Sequence, residues 1–66
     1  MKFFNVKTYQ LQSNKKWIPT ADIWECDNAN CKITDEYSIR DKEFDTEEEA
    51  NKFIREFLRE KGFEEK

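Results

Sequence analysis

Cys26 and Cys31, separated by Asp27-Asn28-Ala29-Asn30, are the one pair in this chain whose types and spacing offer chemistry. Three chemistries compete for them. A disulfide would close a hairpin whose geometry allows bonding, though the reducing interior of a cell usually opposes it. Half of a zinc site is the second reading, but it lacks partners: there are two cysteines and no histidine in 66 residues. Only carboxylates or another chain would complete that site. Two reduced thiols, packed as small apolar groups, are the third. Four intervening residues exclude the CxxC redox motif, which has two.

The acids Asp41, Glu43, Asp45, Glu47, Glu48 and Glu49 are the other cluster. A calcium loop needs oxygen ligands at set positions and a glycine at its sharp bend. The single glycine, Gly62, lies elsewhere. Acids at a helix start, facing its positive dipole end, are the simpler account. They are exposed, with nothing to shift a pKa toward acid–base work. Without histidine there is no Ser/His/Asp or Cys/His set, and no glycine-rich phosphate loop occurs. The chain reads as a non-enzyme with no cofactor and no metal.

The stretch Asp45–Phe63 positions everything else. Ala50, Phe53, Ile54, Phe57 and Leu58 recur at the spacing of one helical face. Thr46 and Glu49 form a capping box, Glu47–Glu49 meet the positive dipole end, and Arg59 and Lys61 the negative end. Gly62 supplies the left-handed stop, after which Phe63 folds back on the last turn. A helix of about 15 residues is marginal alone in water, so its stripe needs a surface. A groove on another protein would serve, but the preceding residues look like a sheet of its own.

Residues 3–12 and 17–26 read as strands joined by the polar loop Ser13–Lys16, and residues 31–40 as a third strand after the turn Asp27–Asn30. The fold class is therefore α+β, one domain over residues 1–66: a three-stranded antiparallel sheet in βββα order with a C-terminal amphipathic helix on one face. A four-residue first loop sets Val6 opposite Ile23 and Lys7 opposite Asp22. The helix-covered face is then Phe4, Val6, Ala21, Ile23, Ile33, Tyr37 and Ile39, closed by Trp17 and Phe44. Two conflicts remain. Pro19 cannot donate to a ladder in a middle strand, so strand two starts at Thr20, bulges there, or lies at an edge. Pairing Cys26 with Cys31 sets Asp22 against Asp35 and turns Ile23 away from Ile33 and Tyr37; a bulge near the turn would reconcile them.

The junction Phe44-Asp45-Thr46-Glu47-Glu48-Glu49-Ala50 looks like one found in many small βββα domains of unrelated function, including integrase arm-binding domains. The likeness covers one junction, which capping alone accounts for, and implies no function.

The opposite face carries the candidate partner surface: Tyr9, Leu11, Ile18 and Trp24, with Lys32 and Arg40 at its rim. An apolar patch with a charged rim marks a contact site. At 66 residues the chain is near the lower limit for folding without staples, so self-association would add stability. A homodimer or a protein partner is expected. Single-stranded nucleic acid is the alternative, with Lys7, Lys32, Arg40, Tyr9 and Trp24 on the face and Lys15 and Lys16 at the loop. Charge opposes it. Residues 1–34 carry five Lys and three acids, residues 35–66 seven Lys/Arg and twelve acids, for a net −3. That acidic second half suggests a third role, mimicry of nucleic acid by the helix. A charged fraction of 41% suits a heat-tolerant source. Met1-Lys2-Phe3-Phe4 begins like a signal peptide, but Asn5 and Lys7 end the apolar run, and no long apolar segment follows. A soluble cytoplasmic protein is expected.

Overall fold

The computed structural model describes residues 1–65. The chain forms β1 (Lys2–Val6), β2 (Tyr9–Gln10), β3 (Trp17–Ile18), β4 (Thr20–Cys26), β5 (Cys31–Ser38), α1 (Glu47–Glu60) and β6 (Glu64–Glu65). Four strands make one mixed sheet in the order β5-β4-β1-β6, and β2 and β3 make a two-stranded ribbon. The class is α+β. The sheet differs from the expected three antiparallel strands because β6 adds to β1 in parallel, Phe3 beside Glu64 and Phe4 beside Glu65. No helix among the described residues is long and apolar enough to cross a membrane.

The first hairpin pairs Phe4 with Ile23 and Val6 with Ala21. Val6 was expected opposite Ile23, so the register is displaced by two residues. The loop explains it. Gln10 faces Trp17, and residues 11–16 turn back through bonds from Leu11 N–H to Lys16 O and Lys15 N–H to Leu11 O. Lys15 takes a left-handed φ of 63°, and Asn14 Oδ1 accepts the Lys16 N–H, the local bond by which Asn substitutes for backbone in turns. A slip of two keeps every side chain on its face, since strand side chains alternate with period two.

Pro19 falls between β3 and β4, so the strand begins at Thr20. Its carbonyl accepts the Ile39 N–H at 2.9 Å, one residue past the end of β5. The missing donor thus lies where the ladder has already ended.

The core is Phe4, Ala21 and Ile23 from the sheet against Ile54 and Leu58 of α1, none more than 2% exposed. Val6, Tyr37, Ile39, Phe57 and Phe63 pack around it. Fully burying each large aliphatic or Phe side chain is worth about 1.5–3 kcal/mol. Ile33, expected in this set, is 51% exposed and belongs to the other face. Trp17 and Phe44 close the helix N-terminal end: each donates its N–H to the other's carbonyl, and the Phe44 ring sits 5.4 Å from that of Phe53. Edge-on contacts of Tyr37 with Phe57 and Phe63 line the opposite end.

Helix α1 starts and stops as its residues dictate. Thr46 Oγ1 accepts the Glu49 N–H at 3.2 Å and donates to the Glu49 carboxylate at 3.0 Å. At the other end Phe63 N–H bonds Leu58 O and Gly62 N–H bonds Arg59 O, with Gly62 at φ +94°. These two bonds are the Schellman pattern. The reversal sends the chain back beside β1, which is how two glutamates become a strand. Glu65 then accepts from both Arg55 Nε and Arg59, at 2.9 and 3.3 Å, and relieves the repulsion expected of two arginines one turn apart.

Replacing Gly62 with Ala meets no atom within 4 Å, so the strain is purely conformational. We expect Gly62→Ala to destabilise the fold by about 1 kcal/mol, read as a lower urea midpoint with an unchanged slope.

Candidate functional site

The face away from α1 is ordered in rows across β1, β4 and β5. Asp22 of β4 lies between Asn5 and Glu36, and Trp24 lies between Phe3 and Ile33. Cys26 lies opposite Cys31 and exchanges main-chain bonds with Met1, at 2.9 and 3.2 Å. Between the Asp22 and Trp24 rows the β4–β5 register shifts by one residue, and Thr34 is the residue left over. Below the shift Ile23 faces Asp35, and Tyr37 shares the core side with Ala21. Above it Cys26 meets Cys31. The bulge therefore lets Cys26 meet Cys31 while Ile23 keeps the face of Tyr37, but Ile33 goes to the other face and Asp22 meets Glu36 instead of Asp35.

Cys26 and Cys31 are joined by a disulfide, with Cα atoms 4.1 Å apart. That separation suits opposed residues not joined by main-chain hydrogen bonds, where side chains approach most closely. Cys31 is exposed and Cys26 half-buried. The pair borders the Trp24 row and lies outside the core.

The residues expected to form a partner surface do not all meet. Trp24 stands on the open face, half-buried, between Phe3 and Ile33. Tyr9 is 37% exposed and Leu11 half-buried, but both lie at the other end of the long hairpin, beyond Lys7. Ile18 is corrected: it is 2% exposed and offers no surface. Alternation does not run through Pro19, where the strand is interrupted, and α1 also lies against β3. Lys32 is corrected too. Opposite Glu25, one residue out of step with Ile33, it faces the helix side, because the bulge reverses the phase of the strand's first half. Arg40 lies in the turn after β5 rather than in a strand.

In their place the open face gains Phe3, Ile33 and Met1, which is 75% exposed. Phe3 was legible, since an inward Phe4 forces its neighbour outward. Ile33 was not, because its side depends on where the bulge falls.

Among the described residues, Asp22 is the buried acidic side chain on this face. Its side chain is 10% exposed and accepts from Lys7 Nζ at 3.1 Å, although in the ladder Asp22 opposes Asn5. Glu36 lies directly across from Asp22 on β5, a like-charge pairing that Lys7 offsets. The acids preceding α1 hold the first loop: Asp45 binds Lys16, and Glu43 accepts from Asn14 at 2.9 Å. The Asp45 carboxylate, through its hydrogen bond and charge, holds the Lys16 ammonium above the usual lysine range. An open cleft of about 590 Å³ lies at the hairpin tip, bounded by Glu25, Asp27, Asn30, Lys32 and Thr34. Its charges are of both signs, with no group placed as nucleophile beside a base.

Comparison with known protein families, characterised proteins and solved structures finds no match. The functional reading rests on these surfaces alone.

Removing Lys7 leaves the buried Asp22 carboxylate facing Glu36 unbalanced. Lys7→Met is expected to destabilise by about 1–2 kcal/mol, less than for a fully buried pair because Lys7 is half exposed. Adding Asp22→Asn should restore much of the loss. Urea melts of the two single variants and the double variant measure this, and strict additivity would show that the pair does not interact.

Proposed function

We propose that this chain is a small non-catalytic interaction module that pairs with a second copy of itself through the open face of its sheet. One observation carries the reading: Phe3, Trp24 and Ile33 form an apolar row in register across three strands, with Ile33 51% and nearby Met1 75% exposed. An exposed row of this kind, bordered by charged residues, is a contact surface by composition. The same face on two copies is self-complementary about a two-fold axis, so the row of one copy packs on the row of the other.

Size bounds the footprint. A standard interface buries about 800 Å² per partner, roughly a sixth of this chain's 4740 Å². Three strands at about 4.8 Å spacing and seven residues at about 3.4 Å cover roughly 14 by 24 Å. That footprint is smaller than a standard interface, and it supports weak, reversible pairing in the micromolar range rather than an obligate dimer. Single-stranded nucleic acid has less support on this face, since Lys7 is engaged by Asp22 and Lys32 faces the other side.

Sedimentation over a micromolar to millimolar series tests the proposal. The unmodified chain should shift toward twice its monomer mass, and Ile33→Lys should stay monomeric with an unchanged urea midpoint. Trp24→Lys should do the same for association, with some loss of stability because Trp24 is half-buried. A chain that remains monomeric throughout, or an Ile33→Lys variant that associates as before, would sink the reading. Oligonucleotide titration at low salt separates the alternative, which requires quenching of tryptophan emission that a Trp17→Phe variant retains through Trp24.

A further inference from the structure

The Cys26–Cys31 bond has the position of a reactive disulfide rather than of a staple. It spans a sequence separation of 5, and a loop that short constrains the unfolded chain little. The core half of the strands it joins keeps its own register without it, since Ala21 pairs with Tyr37 below the bulge. It lies outside the buried cluster, at the far end of a molecule 43 Å long and 21 Å wide. One of its two cysteines, Cys31, is exposed. Attack on a disulfide needs access to one sulfur and a leaving thiolate at the other, and this arrangement provides both.

We propose that this bond is a thiol–disulfide exchange site, opened in the folded protein by a cellular monothiol or dithiol attacking at Cys31. The incoming thiolate forms a bond to Cys31 Sγ as the Sγ–Sγ bond breaks. The electron pair leaves with Cys26, whose thiolate takes a proton from water. A second thiol of the reductant then displaces Cys31 from the mixed disulfide. The reductant ends as its own disulfide, having given two electrons, and the protein ends with two thiols.

The CxxC exclusion does not bear on this site, since it concerns spacing in one chain segment and these cysteines meet across two strands. The consequence is local. Above the bulge, Cys26 opposite Cys31 is the one covalent fix on the register that places Ile33 beside Trp24. Opening it frees the tip, while the core below keeps its own pairing. The site does not rest on self-association, and it reconciles a closed disulfide with a reducing compartment, where such bonds are transient.

The full chain, treated with reduced glutathione or dithiothreitol without denaturant, tests the proposal. Alkylation and mass measurement count free thiols while circular dichroism follows α1. The expected result is complete reduction with the helix signal retained, a rate proportional to thiol and unchanged by sub-denaturing urea, and a shift in Trp24 emission. With glutathione disulfide, Cys26→Ser should be modified at Cys31 roughly tenfold faster than Cys31→Ser at Cys26, following access. Reduction that proceeds only as urea unfolds the chain would overturn the proposal, as would loss of the helix on reduction. Faster modification at Cys26 would overturn the assignment of the attacked sulfur. Should either variant fail to fold, the urea dependence of the unmodified chain still decides the matter.

Discussion

Ile54 and Leu58 of α1 lie against Phe4, Ala21 and Ile23, and this contact divides the sheet into a side that is finished and a side that is not. A chain this size has enough apolar residues for one core layer and little more, so the helix can cover only one face. Its apolar positions fill that contact, and its charged positions turn to solvent or hold the ends of the chain. Arg55 and Arg59 grip Glu65, and the segment before α1 ties Glu43 and Asp45 to the first loop. Even the position of β6 follows, since the turn at Gly62 fixes where the chain leaves the helix.

What could be read in advance was what local physics decides. Thr46, the stripe from Ala50 to Leu58 and Gly62 each act within a few residues of themselves and appear as their types predict, while the Glu49 carboxylate meets the Thr46 hydroxyl instead of the backbone N–H of a full capping box. The faces of Phe4, Val6, Ala21 and Ile23 were also legible, because alternation survives a register error of two. Three features were not. The strand at Glu64–Glu65 has no strand-forming residues and exists through its neighbour β1. Ile18 depended on how Pro19 bends the chain, which no periodicity encodes. The side taken by Ile33 and Lys32 depended on the location of one extra residue.

Like charges on the open face illustrate a related point. Asp22 and Glu36 oppose each other across β4 and β5, an arrangement that pairing rules disfavour. It persists because Lys7 reaches the Asp22 carboxylate from the neighbouring strand. Lys7 and Asp22 were matched in the sequence through the wrong register, and the ion pair forms all the same. A long flexible lysine tolerates a displacement that a directly opposed apolar pair would not. Charge matches are therefore weaker evidence for register than the Phe4–Ile23 pairing.

The inserted residue has a cause that can be stated as arithmetic on the ladder. In the core half, paired residues of β4 and β5 sum to 58, as Ala21 with Tyr37; at the tip they sum to 57, as Cys26 with Cys31. Both anchors are fixed by their own chemistry, burial at one end and a covalent bond at the other. Two fixed registers that differ by one require one unpaired residue between them, and the shift falls between Ile23 and Trp24. A ladder that kept the core register to the tip would turn Ile33 to the helix side opposite Glu25 and set Thr34 beside Trp24, breaking the apolar row. The surface thus arises from a mismatch between core and tip, and its composition depends on where that mismatch is absorbed.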